Sequence, residues 1–180
     1  FGLHGPFSST PIESEKDMVA VHITALLELT KLFLPGMLAR RRGRILNVGS
    51  VYSFSPVPDQ AVYAATKAFL RSFTDALGCE LEGTGVSVIG IYPGIIDTAF
   101  RKRAGIKAND RHPAMTADTI AEAAWSALES KTTCAVPGLA NKLFTVLGGT
   151  LGGRCMARLV RRINRLRGLK TSPLKSPHPG

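Results

Sequence analysis

Apolar positions recur at helical spacing along residues 12–40, with Met18, Val21, Ala25, Leu29, Leu32 and Phe33 on one predicted face. Ser9, Thr10 and Pro11 form a start signal. Glu13, Glu15 and Asp17 follow in the first turns, where the helix dipole favours acids. Pro35-Gly36 predicts a kink or a division of this helix. Arg40, Arg41 and Arg42 close it as a solvated last turn rather than a nucleic-acid contact. The pattern then changes. Residues 44–49 are a short apolar run ending in Gly-Ser, as a buried strand does. Pro56 and Pro58 occupy a loop, Asp59 is the expected N-cap, and helical period returns over 61–81. Gly83-Thr-Gly85 ends that helix before a second apolar strand, 86–92. Strand, helix and strand in this order predict a parallel βαβ unit with a right-handed crossover.

Beyond it, residues 100–113 are polar and basic and read as a loop. Thr116 to Asp118 cap a helix over 119–130 with Ile120, Ala124 and Leu128 apolar, and 134–136 suit a last short strand. Residues 139–151 are apolar, broken by paired glycines, and too short to span a bilayer. Residues 154–170 form a basic helix with Met156, Leu159, Val160, Ile163 and Leu166 as its stripe. Two readings of it stay open. One is peripheral contact with a membrane surface through 139–170. The other is packing of the stripe on the core or on a partner subunit, with the arginines in water. The tail 171–180, rich in Pro, Ser and Lys, is expected to be disordered.

Charge sharpens this division. Residues 1–130 hold 13 basic and 13 acidic groups, and residues 131–180 hold ten basic and no acidic one. The net charge of +10 therefore belongs to the last third of the chain. No stacking aromatics accompany those arginines, which argues against nucleic acid as a partner. At 180 residues and 44% hydrophobic, the chain can bury one sizeable core. Cys79, Cys134 and Cys155 match no zinc or disulfide spacing, so a reducing, cytoplasmic location is expected and no metal site.

The candidate chemistry lies between the two strands. Ser50 follows the first strand, at the end where open α/β sheets bind ligands. Tyr63 and Lys67 are four apart and share one helix face. A free phenol titrates near ~10, and a lysine one turn away favours the phenolate. Such a tyrosine can exchange a proton near neutral pH while a serine hydroxyl holds a carbonyl or alcohol oxygen. Hydride transfer at the attached carbon then requires a cofactor.

Ser50, Tyr63-Ala-Ala-Thr-Lys67 and, after the next strand, Pro93-Gly94-Ile-Ile-Asp-Thr98 together resemble the short-chain dehydrogenase/reductase family over residues 1 to about 140. The match is nearest its ketoacyl-reductase and hydroxysteroid-dehydrogenase branch. The resemblance implies an α/β fold, a Rossmann-like doubly wound parallel sheet, with residues 1–138 as its catalytic part. Its N-terminal mononucleotide-binding half, on the order of 80–90 residues, is missing from this chain. It also implies an NAD(P)-dependent oxidoreductase interconverting a carbonyl and a secondary alcohol, with NADP favoured over NAD by analogy and a lipid-like substrate. Tyr63 would be the acid/base, Ser50 would orient the oxygen, and Lys67 would tune Tyr63 and hold the nicotinamide ribose. Pro93, Gly94, Ile96 and Thr98 would line the nicotinamide. The 12–40 helix and the Tyr-Lys helix would pair with those of a second subunit in a homodimer or tetramer. One departure stands out: His22 occupies the place of the family's catalytic asparagine. It is expected to stay neutral and partly replace that asparagine in a proton relay, or to be purely structural. The alternatives to an enzyme are an impaired remnant acting through dimerisation or membrane binding, and a basic binding module.

Overall fold

A computed structural model describes residues 1–96, 114–130 and 132–166. Thr98, the whole of the predicted 100–113 loop, the last four residues of the predicted 154–170 helix and the 171–180 tail lie outside the described residues.

Three parallel strands, β1 (Gly43–Val48), β2 (Val86–Ile91) and β3 (Cys134–Ala135), form one sheet in that order. β1 and β2 are level from Gly43 opposite Val86 to Val48 opposite Ile91. Val88, Ile89 and Ile91 are buried at alternate and adjacent positions alike, as in a central strand covered on both faces. Two turns set this register. Gly85, at φ +86°, lies so close to the Arg41 carbonyl that a side chain there would overlap it. The turn before β2 is thereby pressed onto the turn before β1. At the other end the Tyr92 ring, 0% exposed, lies under Gly49 and Gly90, where a Cβ would collide with it. Phe54 meets that ring edge-on at 5.1 Å.

The N-terminal helical stretch consists of α1 (Ile12–Val19), a π turn (Ala20–Thr24) and α2 (Ala25–Ala39). Of the kink or division expected at Pro35, the division is absent, because α2 runs through it to Ala39. Pro35 and Lys31 are both at exposed positions, so water can take the carbonyl that the proline leaves without a donor. The irregular turn falls at His22 instead. Met18, His22 and Thr30 face inward, while Leu34 and Met37 cover a cluster of Leu77, Leu81, Val86 and Val88. Most of the apolar face read from the sequence looks outward: Val21, Leu29, Leu32 and Phe33 are all more than half exposed. By length and composition the span Ile12–Ala39 could cross a membrane. Here it is packed along one side against the sheet and the helix between the strands.

That helix, α3 (Ala61–Glu80), starts differently from expectation. Asp59 is not its cap. It adopts φ 64° and its carbonyl accepts from the Gly5 N–H at 2.8 Å, so Gln60 stands at the cap position. α4 (Ala117–Ser130) is capped by Thr116, whose Oγ1 accepts from the Thr119 N–H. Helices α5 (Leu139–Thr150) and α6 (Gly153–Leu166) return over the loop after β1. Gly148 of α5 lies against the Phe54 carbonyl with no room for a Cβ. Met156 and Val160 of α6 share a core cluster with Val57 and Ala64, flanked by Tyr52, Phe144, Leu151 and Leu159. Met156, Leu159 and Val160 of the basic helix's stripe therefore pack on the chain's own core, while Leu166 at its end is exposed.

Candidate active site

The site forms where β1 ends. Gly49 continues the ladder by donating its N–H to Ile91 at 2.8 Å, and the chain then turns at Ser50 into a 3₁₀ turn, Val51–Phe54. Ser50 is the N-cap of that turn. Its Oγ accepts from the Tyr52 N–H at 3.2 Å, and the Ser53 Oγ accepts from the Ser50 N–H at 3.3 Å. This reciprocal box fixes the serine rotamer while the residue stays buried. The Val51 N–H donates to the Pro93 carbonyl at 3.0 Å, tying the Pro-Gly segment to the serine turn.

α3 supplies the second wall. Tyr63 is 7% exposed, and the Ser50 side chain hydrogen-bonds its phenol. Tyr52 stands edge-on to Tyr63 at 6.5 Å, and His22 at 5.8 Å. Burial pushes the phenol up to about 12, against the Ser50 hydrogen bond, which draws it down. The expected lowering by Lys67 is not found. The Lys67 ammonium is 5.8 Å from the Tyr63 ring centroid and donates to the carbonyl of Val48, the last residue of β1, at 3.0 Å. Burial lowers Lys67 to about 8, so it remains charged at neutral pH.

The π turn of the N-terminal helix brings in His22. Its Nδ1 is 2.9 Å from the Thr66 Oγ1, and the Thr66 hydroxyl donates to the Tyr63 carbonyl at 2.8 Å. That leaves the threonine oxygen to accept from Nδ1. Burial first, and the Lys67 ammonium second, push His22 down to about 4, which leaves the imidazole neutral at pH 7.

Of the residues picked from the sequence, Ser50, Tyr63, Lys67, His22 and Pro93 thus come together. Gly94 is close by and has no space for a side chain, because Asn141 of α5 fills it. Asn141 is held by donating to the Pro137 carbonyl at 2.7 Å. Ile96 forms a parallel bridge to Met115, and Thr98 lies outside the described residues. Three neighbours were missed. Thr66 lies three residues from Tyr63 and on its face, so helical period could have flagged it. Tyr52 follows Ser50 by two, with no pattern to mark it. Asn141 is 47 residues from Gly94, a separation no local pattern reports. Among the described residues no group of three His, Cys, Asp or Glu could hold a metal.

The donor set has the chemistry of a nicotinamide riboside site: an ammonium and a phenol at one end of a parallel sheet, with the Pro-Gly backbone alongside. No Gly-rich pyrophosphate fingerprint occurs in the 180 residues.

A family model described as short chain dehydrogenase matches residues 2–109. The very-long-chain 3-oxoacyl-CoA reductase of Phaeosphaeria nodorum is 41% identical over 97 residues, which are 54% of this chain and 28% of that protein. The chain thus matches little more than a quarter of that relative's length. Among solved structures, a 7beta-hydroxysteroid dehydrogenase aligns with a TM-score of 0.77 and 25% identity, over 89% of this chain and 64% of the other. A closed serine dehydrogenase complexed with NADP+ aligns with a TM-score of 0.66 and 31% identity, over 75% and 60%.

Proposed function

The chain belongs to the short chain dehydrogenase family, and from that premise we propose that it carries the proton-transfer part of an NAD(P)-dependent oxidoreductase interconverting a carbonyl and a secondary alcohol. One observation carries the reading: the Ser50 hydroxyl is bonded to the buried Tyr63 phenol beside Lys67, at the C-terminal end of the parallel strands. The nicotinamide, when bound, supplies or accepts the hydride. The rest is the work of this chain. Ser50, its rotamer fixed by the capping box, is placed to hold the substrate oxygen. Tyr63, held protonated at neutral pH, is placed to donate to that oxygen, the state that carbonyl reduction requires. Lys67 is placed to move from the Val48 carbonyl to the cofactor's ribose hydroxyls and to draw the phenol down when it does so. Pro93, Gly94, Ile96 and Thr98 would lie along the nicotinamide.

The P. nodorum relative and its name favour a long-chain 3-oxoacyl thioester as substrate, and the aromatic wall of Tyr52 and Phe144 suits a lipid-like chain. The serine dehydrogenase neighbour favours NADP as cofactor. Three exposed cysteines are compatible with a reducing, cytoplasmic setting. The test is NADPH oxidation by the natural polypeptide with a long-chain 3-oxoacyl-CoA. Tyr63→Phe should lower turnover by about 100-fold or more. An unchanged rate in Tyr63→Phe would remove the assignment.

A second reading is favoured by His22 and by the outward apolar face of α2: an impaired member acting through dimerisation. His22→Asn distinguishes them. A many-fold gain in turnover would mark the site as impaired, and a loss would assign the histidine a part in the relay. Sedimentation velocity of the same protein reports the subunit number.

A further inference from the structure

Helices α5 and α6 carry two outward stripes of opposite character. On α5, Leu139, Leu143, Val146 and Leu147 are 84%, 61%, 61% and 36% exposed. At 3.6 residues per turn these positions fall in one arc. The opposite arc faces the body, with Phe144 beside Tyr52, Asn141 at Gly94 and Gly148 at Phe54. α5 is therefore turned with leucines toward water. On α6 the core side takes Met156, Val160 and Asn164. The outer side carries Arg154, Arg158, Arg161 and Arg165, at spacings that keep them on one line, with Arg162 next to it, all exposed. Among the described residues the ion pairs are Lys16–Glu13 and Arg71–Asp75, and neither includes these arginines. No acid occurs anywhere in residues 131–180. Only Leu151 and Gly152 separate the two helices.

A leucine face calls for an apolar cover, and an arginine line without counter-charges calls for an anionic one. A second copy docking through the same pair would set its own ten-cation segment against this one. Nucleic acid would engage the arginines and leave the leucines wet. An anionic bilayer meets both demands, with acyl chains at the leucines and phosphates at the arginines. We propose that the outer faces of α5 and α6 dock the protein on the surface of an anionic lipid bilayer. The docking does not depend on the oxidoreductase reading. If that reading also holds, the Tyr52–Phe144 wall lies one helix, about 10 Å, from the lipid, and a lipid-like carbonyl need not cross water to reach Ser50.

Co-sedimentation of the full chain with vesicles tests this. Vesicles of phosphatidylserine and phosphatidylcholine in equal parts should bind it, and phosphatidylcholine alone only weakly. Rising salt should weaken the first. Replacing Arg158 and Arg161 by Gln should lower the partition into the mixed vesicles by roughly fivefold for each arginine. Leu143→Asp with Val146→Asp should abolish binding at every salt level. Leu139→Asp, at the most exposed position, serves if circular dichroism shows that pair to be unfolded. Vesicle binding equal in the parent and the folded variants overturns the proposal. So does a dimer that the leucine variants dissolve while vesicle binding persists, which would make the face a contact between copies.

Discussion

α2 and α6 each carry a helical apolar stripe, and the protein uses the two in opposite ways. In α6 the stripe is the buried side: Met156 and Val160 are 0% and 2% exposed, and arginines face the water. In α2 the read stripe is the wet side: Leu32 and Phe33 are 70% and 57% exposed, and the inward residues include Thr30. A helical stripe therefore shows that something covers it and leaves open what does. For α6 the cover is the loop carrying Val57 and the start of α3. For α2 the described chain offers none, and the dimer reading in the proposed function supplies a candidate. Basic character left two readings of α6 open, and they fall on two sides of one helix, since arginines on the outer arc do not oppose a core on the inner one.

The comparison can be broken most forcefully at α6. Met156→Ala should cost about 2–5 kcal/mol in urea unfolding, as a fully buried methionine loses its contacts and leaves a void. A change under about 0.5 kcal/mol would mean that the stripe is not in the core. The inner side of the N-terminal stretch sharpens the contrast through pH. His22 takes its proton near 6.5 when unfolded and near 4 when folded, so the unfolded chain binds more protons between those values. Stability should be full above pH 6.5, fall by up to about 3 kcal/mol as pH drops toward 4, and level off below it. His22→Asn should flatten that slope. An unchanged slope would place the histidine in water. The smallest effect belongs to the outer side of α2. Leu32→Ala should change subunit stability by no more than about 0.5 kcal/mol. Any larger loss that grows with protein concentration would reveal the missing cover as another subunit.

How much was legible follows the reach of each signal. Tyr63 and Lys67 lie one turn apart on α3, so helical spacing marked them as a pair, and the family resemblance joined Ser50, at the end of β1, to them. The parallel pairing of β1 with β2 was legible because a helix between two short apolar runs leaves few alternatives, whereas their register was not. Of the kink or division read at Pro35 the division did not occur, because the carbonyl that the proline leaves without a donor lies at an exposed position where water can take it. Asp59 misled because its backbone bond to Gly5, set by tertiary contact, outweighed its capping preference. The direction of the Lys67 ammonium was illegible. The sequence places it one turn from Tyr63, but the open carbonyl of Val48 is a stronger acceptor than a protonated phenol's ring. The Asn141–Gly94 contact was invisible in any window.

The ring of Tyr92 under two glycines has a consequence for inheritance. Gly49 cannot acquire a side chain while the tyrosine stands, and the same holds for Gly90. If Tyr92 shrinks first, it leaves a hole behind Ser50 at the floor of the site. Either first step lowers fitness through stability before the second can repair it. The three positions are therefore bound by epistasis and should change together or remain as they are. The double replacement Gly49→Ser with Tyr92→Asn should be better tolerated than Gly49→Ser alone, and that asymmetry would be visible in a lineage as paired substitutions.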